Sequence, residues 1–408
     1  MTETSSSAVS ARYTGLKGPL FRLAIVNGLL TILTLGIYRF WAKTRVRKFI
    51  WSSIDLGGDR PEYTGTGLEK FLGFLVAVVV LAVYLGLIQI LLFYFGLYYV
   101  VAPKTETEMI MQVAVFYISL FAVLPLILFA RYRSRRYLMA RTRFLGIRFG
   151  MEKPAWGYVW RALAHGALTV VTLGILLPRQ TFWLEKYKTD RSWYGDQRFV
   201  QGGRWTGLYR AMRHLFIGAA LLFVAAPAIA IVMAAQGKTG ETAAFAAIPV
   251  ALIGFNWALF GYLYYRVHSF RYLTAHKSLV GAMAFRAEPR TGRIIGIYLL
   301  GVLIIGAIVG VAFAVAFGVA AATIASAGST GAMPDILGVV VMALFYLGVL
   351  TLAGALILVF IVQPVLAHIV GTLTIFNPEA LAEVRQRAYD AGADAEGFAD
   401  ALDVGGAI

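Results

Sequence analysis

The stretch GLLTILTLGI (Gly28 to Ile37) recurs 138 residues later as GALTVVTLGI (Gly166 to Ile175), with seven of ten positions identical. A second pair lies at an offset of 135, where RYRSRRYLMARTRFLG (Arg131 to Gly146) matches RVHSFRYLTAHKSLVG (Arg266 to Gly281) at seven of sixteen positions. Two separate matches at nearly one offset indicate an internal duplication. Because the repeated unit is largely apolar, the sequence predicts an internally duplicated membrane protein.

The composition is that of a chain that lies mostly in lipid. Hydrophobic residues make up 59% and charged residues 14%, against about 25% charged in soluble domains. Six uncharged stretches exceed the ~20 residues that cross a bilayer core: 71–103, 109–130, 214–237, 242–265, 294–334 and 336–378. The sequence therefore predicts an all-α polytopic integral membrane protein with about six full spans in three helical hairpins.

The two copies of the repeated run are too short to be assigned to a span with the same certainty. Arg22 and Arg39 bracket 16 uncharged residues, and Arg161 and Arg179 bracket 17. If both runs span, the repeats are inverted and Lys and Arg divide 20 to 17 between the two sides. If both are re-entrant or lie in the interface, 35 fall on one side and two on the other. The positive-inside rule favours the second arrangement, with parallel repeats.

The domain plan follows from this arrangement. We expect a first repeat, a second repeat of the same plan, a C-terminal helical hairpin and an acidic cytoplasmic tail, with the bounds 1–150, 151–292, 293–378 and 379–408. The tail is poor in large apolar residues, so we expect it to form no core of its own.

Basic connectors join the hairpins, at 39–70, 131–161, 179–213 and 266–293. Each carries a basic and aromatic pair, then a glycine turn, then another aromatic residue. This pattern indicates a helix end, a tight turn and a short extended segment. The four segments could pair into a small cytoplasmic sheet or cap.

The first connector carries a family resemblance. The residues are Asn27, Leu30, Thr31, the run from Thr34 to Tyr38, Trp41, Ala42, Arg45, Arg47, Phe49, Gly58, Tyr63, Gly65 and the region from Glu69 to Gly73. This pattern resembles the YjgN-like family of bacterial inner-membrane proteins, which has a domain of unknown function. The resemblance implies a multi-pass protein of the bacterial inner membrane and names no substrate.

Two polar residues occupy equivalent positions in the two short segments. Asn27 lies in the first copy and His165 in the second. Polar side chains inside membrane segments most often make interhelical hydrogen bonds. Their paired positions also make Asn27 and His165 candidates for lining a substrate path.

The net charge of +16 lies in blocks that abut the apolar runs. This placement is typical of topology determinants and lipid headgroup contacts, and no nucleic-acid motif accompanies it, so we expect no nucleic acid partner. The candidate lipid or partner face consists of Arg45, Arg47, Lys48, Arg133, Arg135, Arg136, Lys186 and Arg271. The simpler interpretation is that these charges only set the topology.

The sequence offers no catalytic or cofactor signal. It has no cysteine, and its five histidines lack metal-ligand spacing. No phosphate-binding loop, dinucleotide fingerprint or nucleophile elbow occurs. We therefore expect no enzyme, no metal and no cofactor. The GxxxG pair Gly306 and Gly310 indicates close helix packing, or less simply an oligomer contact.

Two functional hypotheses remain open from the sequence. The first is a carrier or channel-like protein of unknown substrate, whose duplicated halves enclose a path near Asn27 and His165. The alternative is a non-transporting membrane organiser that binds anionic lipid or a partner through its basic cytoplasmic face.

Overall fold

The computed structural model describes residues 7–99, 101–281, 283–330 and 336–387. Its helices are α1 (Lys17–Leu33), α2 (Arg39–Ser52), α3 (Gly67–Tyr94), α4 (Glu106–Ala140), α5 (Ala155–Val171), α6 (Leu177–Thr189), α7 (Tyr209–Ala220), α8 (Ala226–Ala235), α9 (Gly240–Ala275), α10 (Thr291–Thr330), α11 (Ile336–Ile357) and α12 (Gln363–Val370). π-helical turns at Leu221–Ala225 and Leu358–Val362 join α7 to α8 and α11 to α12.

Six long apolar helical segments are able to cross a membrane, and they pair as the three predicted hairpins. These hairpins are α3 with α4, α7 and α8 with α9, and α10 with α11 and α12. Threonine side chains cap the starts of three of these helices: Thr66 accepts from Glu69 N–H, Thr105 from Glu108 N–H and Thr239 from Thr242 N–H. Such caps satisfy amide groups that the first helical turn leaves without partners.

The strands lie between the helices in the chain and form a single antiparallel sheet. They are β1 (Ala8–Tyr13), β2 (Ile54–Leu56), β3 (Glu62–Tyr63), β4 (Thr142–Phe144), β5 (Ile147–Met151), β6 (Ser192–Tyr194), β7 (Gln197–Gln201), β8 (Lys277–Leu279), β9 (Met283–Ala287) and β10 (Leu373–Phe376). Their order in space is β2-β1-β10-β9-β8-β7-β6-β5-β4-β3. The sheet predicted from the four connectors is therefore present, and it also includes β1 and β10, which the connector pattern did not contain.

The sheet curls around an apolar core. Leu56 on β2 packs against the same cluster as Phe144 on β4, although eight strand intervals separate them in the sheet order. In a flat sheet these strands would lie roughly 38 Å apart, at ~4.8 Å per interval. Tyr194, Leu279 and Ile375 lie in this cluster too. The sheet therefore wraps its inner face around one core, and five residues of chain link its two end strands.

A C-terminal strap, residues 378–387, closes this core. It begins with the 3-10 turn Pro378–Glu383. Val384 is 6% exposed and belongs to the core cluster. Asp196 N–H donates to the Arg385 carbonyl over 2.8 Å, and Arg385 N–H donates to the Asp196 carboxylate over 3.0 Å. Residues 379–387, expected in the acidic tail, are thus part of the folded sheet region, and tail residues 388–408 lie outside the described residues.

Each group of helices lies between two strands of the sheet, so the chain leaves the sheet and returns to it each time. It leaves β1, passes through α1 and α2 and returns at β2; it leaves β5, passes through α5 and α6 and returns at β6. The three long hairpins begin and end at the sheet in the same way. Both ends of each short segment therefore lie on one side, here called the sheet side, as expected if neither segment spans.

The expected repeat boundaries do not separate structural units. Residue 150 lies inside β5, which pairs with both β4 and β6. Residue 292 lies in the first turn of α10, directly after the sheet. One sheet thus includes strands from both sides of residue 150, and these strands share a core. The division of the chain into repeats stays a prediction.

Candidate functional site

The two TLGI turns have the same hydrogen bonds. Gly36 N–H donates to the Thr31 carbonyl over 2.7 Å, and Gly174 N–H donates to the Thr169 carbonyl over the same distance. This six-to-one bond defines the Schellman turn, which ends a helix with residues in the left-handed conformation. Each copy therefore ends its first helix in the same way and reverses the chain into the next helix.

Each tip presents a leucine to its surroundings. Leu35 (φ 51°) is 95% exposed, and Leu173 (φ 49°) is 94% exposed. A leucine held outward in a left-handed turn has no packing reason within the described chain. An apolar environment such as lipid accounts for both side chains.

The second helix of each short hairpin is too charged for the bilayer core. The helix α2 carries five basic residues in 14, and α6 carries three basic residues and one acid in 13. Charged side chains at the bilayer centre are costly and rare. We therefore interpret α1 with α2, and α5 with α6, as interfacial hairpins, with apolar tips suited to lipid and basic helices suited to headgroup level.

Asn27 lies inside the first short hairpin. It is 3% exposed, its Nδ2 lies 3.4 Å from the Ala42 carbonyl on α2, and Arg45 Nη1 lies 3.4 Å from its Oδ1. Its carbonyl accepts from the Thr31 hydroxyl over 2.7 Å. The side chain thus links α1 to α2, which is the interhelical role that the sequence also allowed.

His165 lies at the equivalent place in the second short hairpin and is half-buried. Its carbonyl accepts from the Thr169 hydroxyl over 2.8 Å, as Asn27 accepts from Thr31. The hairpins pack on different partners, since α1 contacts α11 whereas α5 contacts α4. The structure does not bring Asn27 and His165 together through any hydrogen bond among the described residues, and a path between them stays a prediction.

Two of the eight residues expected on the lipid or partner face are buried. Arg47 is 2% exposed and its Nη1 lies 3.4 Å from the Tyr63 hydroxyl. Arg136 is 2% exposed and its Nε donates to the Met151 carbonyl over 3.2 Å. Neither guanidinium can reach a headgroup in the folded protein, because the sheet and its turns cover both.

The other six residues of that face divide by exposure. Arg45 and Lys48 are exposed on α2, while Arg133, Arg135, Lys186 and Arg271 are half-buried. Lys186 Nζ donates to the Gln201 carbonyl over 2.8 Å and pairs with Asp190 at 2.9 Å. Of these eight residues, only Arg45 and Lys48 are therefore exposed enough for lipid to reach them freely.

The sequence analysis missed a half-buried carboxylate that ties the second short hairpin to its surroundings. Glu185 Oε1 lies 2.7 Å from Lys277 Nζ on β8, and its Oε2 lies 2.8 Å from Lys188 Nζ and 3.5 Å from Arg135 Nη1 on α4. Glu185 is the only acid in α6 and occupies the position equivalent to Arg47. The first copy thus has a basic residue where the second has an acidic one, and this difference is the feature of the sequence that could have identified Glu185.

The titration of this cluster follows from its charges. Burial alone would raise the pKa of Glu185, but Arg135, Lys188 and Lys277 outweigh it and hold the pKa well below its usual range. Burial lowers the pKa of Lys188, against the attraction of Glu185. Three cations thus surround one carboxylate, and the cluster keeps a net positive charge on the sheet side.

Comparison with known proteins finds relatives that are named inner membrane proteins. The inner membrane protein YjgN of Salmonella typhimurium is 28% identical over 173 residues, which cover 40% of this chain and 37% of the relative. The protein of the same name from Escherichia coli O157:H7 is 29% identical over 154 residues, covering 38% and 34%. The matched segment thus spans about a third of the length of these relatives. No solved structure matches the chain.

The relatives are named inner membrane proteins, and the described part of the chain has six helical segments long and apolar enough to span. The chain is therefore a multi-pass inner-membrane protein that sits in the lipid bilayer. The family model described as a bacterial protein of unknown function (DUF898) matches residues 8–305. That match includes both short hairpins and nine of the ten strands. It confirms the YjgN-like resemblance of the first connector, and the chain belongs to this DUF898 family.

Proposed function

We propose that this protein is a non-catalytic membrane protein whose sheet side binds anionic lipids of the surrounding leaflet. The observation that carries the proposal is the pair of short hairpins. Each has an exposed leucine at its tip, Leu35 or Leu173, and a charged second helix with a net positive charge beside it. An apolar insertion next to cations is the design of interfacial anchors that prefer anionic lipid.

The charge balance around the hairpins supports the same function. The four connectors hold 30 Lys and Arg residues against nine Asp and Glu residues. The exposed cations include Arg22, Lys48, Arg131, Arg161, Arg210 and Arg266. Each cation near a membrane surface contributes on the order of 1 kcal/mol of attraction to anionic lipid. Setting the orientation of the spans requires only an excess of basic residues on one side of the membrane. It gives no reason for the exposed leucines at the tips of the short hairpins.

The lipids that co-purify with the full chain test this function. We expect mass spectrometry to find anionic phospholipids enriched over the membrane extract, and high salt during solubilisation to weaken that enrichment. Lys48→Gln combined with Arg131→Gln should reduce it by about five-fold for each charge. Lys104→Gln combined with Lys238→Gln, on the opposite side, is the matched control and should leave it unchanged. Co-purified lipid with the composition of the membrane extract would overturn the proposal.

The repeated hairpins favour one second candidate, a carrier built from duplicated halves. The support is the shared turn geometry at Gly36 and Gly174 and the equivalent positions of Asn27 and His165. Duplicated halves around a polar site are a feature of many transporters. Solute flux into vesicles that contain the purified protein tests this candidate.

A further inference from the structure

A shallow hollow of about 440 Å³ lies on the outer surface of α9, lined by Leu252, Ile253, Asn256, Trp257 and Phe260. These residues belong to the span Gly240–Ala275, and Ile253 is 57% exposed. The hollow therefore opens toward the acyl chains of the bilayer.

The sheet-side end of the hollow leads directly to a polar cluster. The His214 ring on α7 lies 6.0 Å from the Trp257 ring and 5.1 Å from the Phe260 ring, between centroids. Arg213 Nε donates to His214 Nε2 over 3.2 Å, and Arg213 Nη2 donates to the Tyr264 hydroxyl over 2.8 Å. A continuous surface thus runs from an apolar hollow to a guanidinium.

One atom of this cluster lacks a partner. His214 Nδ1 is buried and makes no hydrogen bond in the described structure. Buried polar atoms are hydrogen-bonded in the great majority of cases, so an orphan calls for an explanation. Nδ1 is closed off from the surface, so the group of this cluster that a ligand can reach is the exposed Arg213 guanidinium.

The charges around the cluster select the sign of that ligand. No Asp or Glu occurs in 197–240 or in 242–287, which hold α7 and all of α9 beyond its first turn. Arg210, Arg266 and Arg271 lie toward the same end of these helices. These two segments offer no carboxylate to pair with the ammonium group of a zwitterionic headgroup. The charged side chains that they offer to an anionic headgroup are all basic.

The dimensions suit one lipid chain. Tyr264 and Ile253 are eleven residues apart on α9, a rise of about 16 Å. That is roughly half of the ~30 Å hydrocarbon core, which is the depth that one leaflet's acyl chain fills.

We propose that this groove binds one anionic phospholipid, with its phosphate on Arg213 beside Tyr264 and an acyl chain along Phe260, Trp257 and Ile253. The proposal rests on the proposed function. It adds one defined binding site to the general attraction between the sheet side and anionic lipids.

Quenching of Trp257 fluorescence by brominated lipid tests the site. The full chain is reconstituted in phosphatidylcholine vesicles that contain either brominated phosphatidylglycerol or brominated phosphatidylcholine. Subtracting the signal of Trp257→Phe isolates the hollow from the other seven tryptophans. We expect phosphatidylglycerol to quench Trp257 in preference to phosphatidylcholine, and Arg213→Ala to reduce that preference about five-fold.

Two further variants separate the site from general attraction. Arg266→Ala removes an exposed charge from the same end of α9 without contacting the hollow, and it should keep the preference. Ile253→Phe narrows the hollow while keeping all charges and all tryptophans, and it should remove the preference. Equal quenching by both lipids, or Arg213→Ala and Arg266→Ala acting alike, would overturn the site while the overall anionic enrichment could persist. A disulfide between two Ile253→Cys protomers would place a second copy in the groove and would also overturn it.

Discussion

Lys277 on β8 donates to Glu185 on α6 over 2.7 Å, and this ion pair fastens the second short hairpin to the sheet. The same carboxylate pairs with Arg135 on α4. One side chain thus connects an interfacial hairpin, a spanning hairpin and the sheet. If the short hairpins hold lipid, their position relative to the spans depends on this connection.

Glu185→Gln should strongly destabilise the protein. The change leaves three cations without their shared carboxylate in a partly buried place, where the Glu185 side chain is 17% exposed. We expect a loss of about 1–3 kcal/mol. Thermal unfolding in detergent measures it as a lower melting temperature. The exposed Glu62 on β3 is the matched control, and Glu62→Gln should cost less than about 1 kcal/mol. Equal melting temperatures for the two variants would contradict the role of Glu185.

The same carboxylate predicts a pH dependence. Because the folded-state pKa of Glu185 lies well below its usual range, its contribution to stability is fully present above the ordinary glutamate pKa of about 4.3. That contribution decreases as the pH falls below 4.3 toward the lowered pKa. The stability difference between wild type and Glu185→Gln should therefore be constant at neutral pH and shrink under acid conditions. A difference that grows on acidification would contradict the assigned direction.

The tip glycines should resist substitution for a backbone reason. Gly36 (φ 92°) and Gly174 (φ 88°) have open space where a Cβ would lie, so alanine meets no clash with a neighbouring side chain. A left-handed conformation costs a residue with a Cβ about 1–2 kcal/mol. Gly36→Ala and Gly174→Ala should each lower the unfolding free energy by that amount. Gly86→Ala, in the interior of α3 with equally open space, should be neutral or stabilising.

Local sequence predicted the spans, the turns and a small sheet from the connectors, but not the bounds or the pairing order of the ten strands. The six apolar runs each exceed a bilayer crossing, so their length alone was decisive. The strands are two to six residues long, too short for a period of two to identify them. Ala8 pairs with Phe376 across nearly the whole chain, and no local pattern records such a partner.

The sequence allows a site residue to be predicted where a local turn sets its exposure. It does not allow this where packing against distant parts of the chain sets the exposure. Leu35 and Leu173 are exposed because the repeated turn forces them outward. Arg47 and Arg136 belong to basic runs that resemble a surface, yet the sheet side buries them. Glu185 gains its importance from Lys277, 92 residues away.

Asn27→Ala should affect stability through the hairpin. It removes the amide that lies between Ala42 and Arg45, a loss of about 1–2 kcal/mol. Asn256→Ala is the control, because among the described residues that amide donates to the Leu252 carbonyl of its own helix. If the protein is a carrier, Asn27→Ala and His165→Ala should instead abolish solute flux and leave the melting temperature unchanged. That result would contradict a purely structural role for Asn27.

The side of the membrane that holds the sheet can be read by single-cysteine labelling, since the chain has no cysteine of its own. Lys104 and Lys238 lie at the tips of two long hairpins, opposite the sheet, and Arg198 and Arg286 are exposed on strands β7 and β9. The positive-inside rule predicts that the side with 35 of the 37 Lys and Arg residues is cytoplasmic.

In intact cells whose outer membrane has been opened, we therefore expect a membrane-impermeant maleimide to label Lys104→Cys and Lys238→Cys. Arg198→Cys and Arg286→Cys should be labelled only after the inner membrane is permeabilised. If Lys104→Cys and Lys238→Cys report opposite sides, the short segments span and the repeats are inverted. That outcome would contradict the common sheet, because β2 and β6 could then not lie on the same side as β1 and β5.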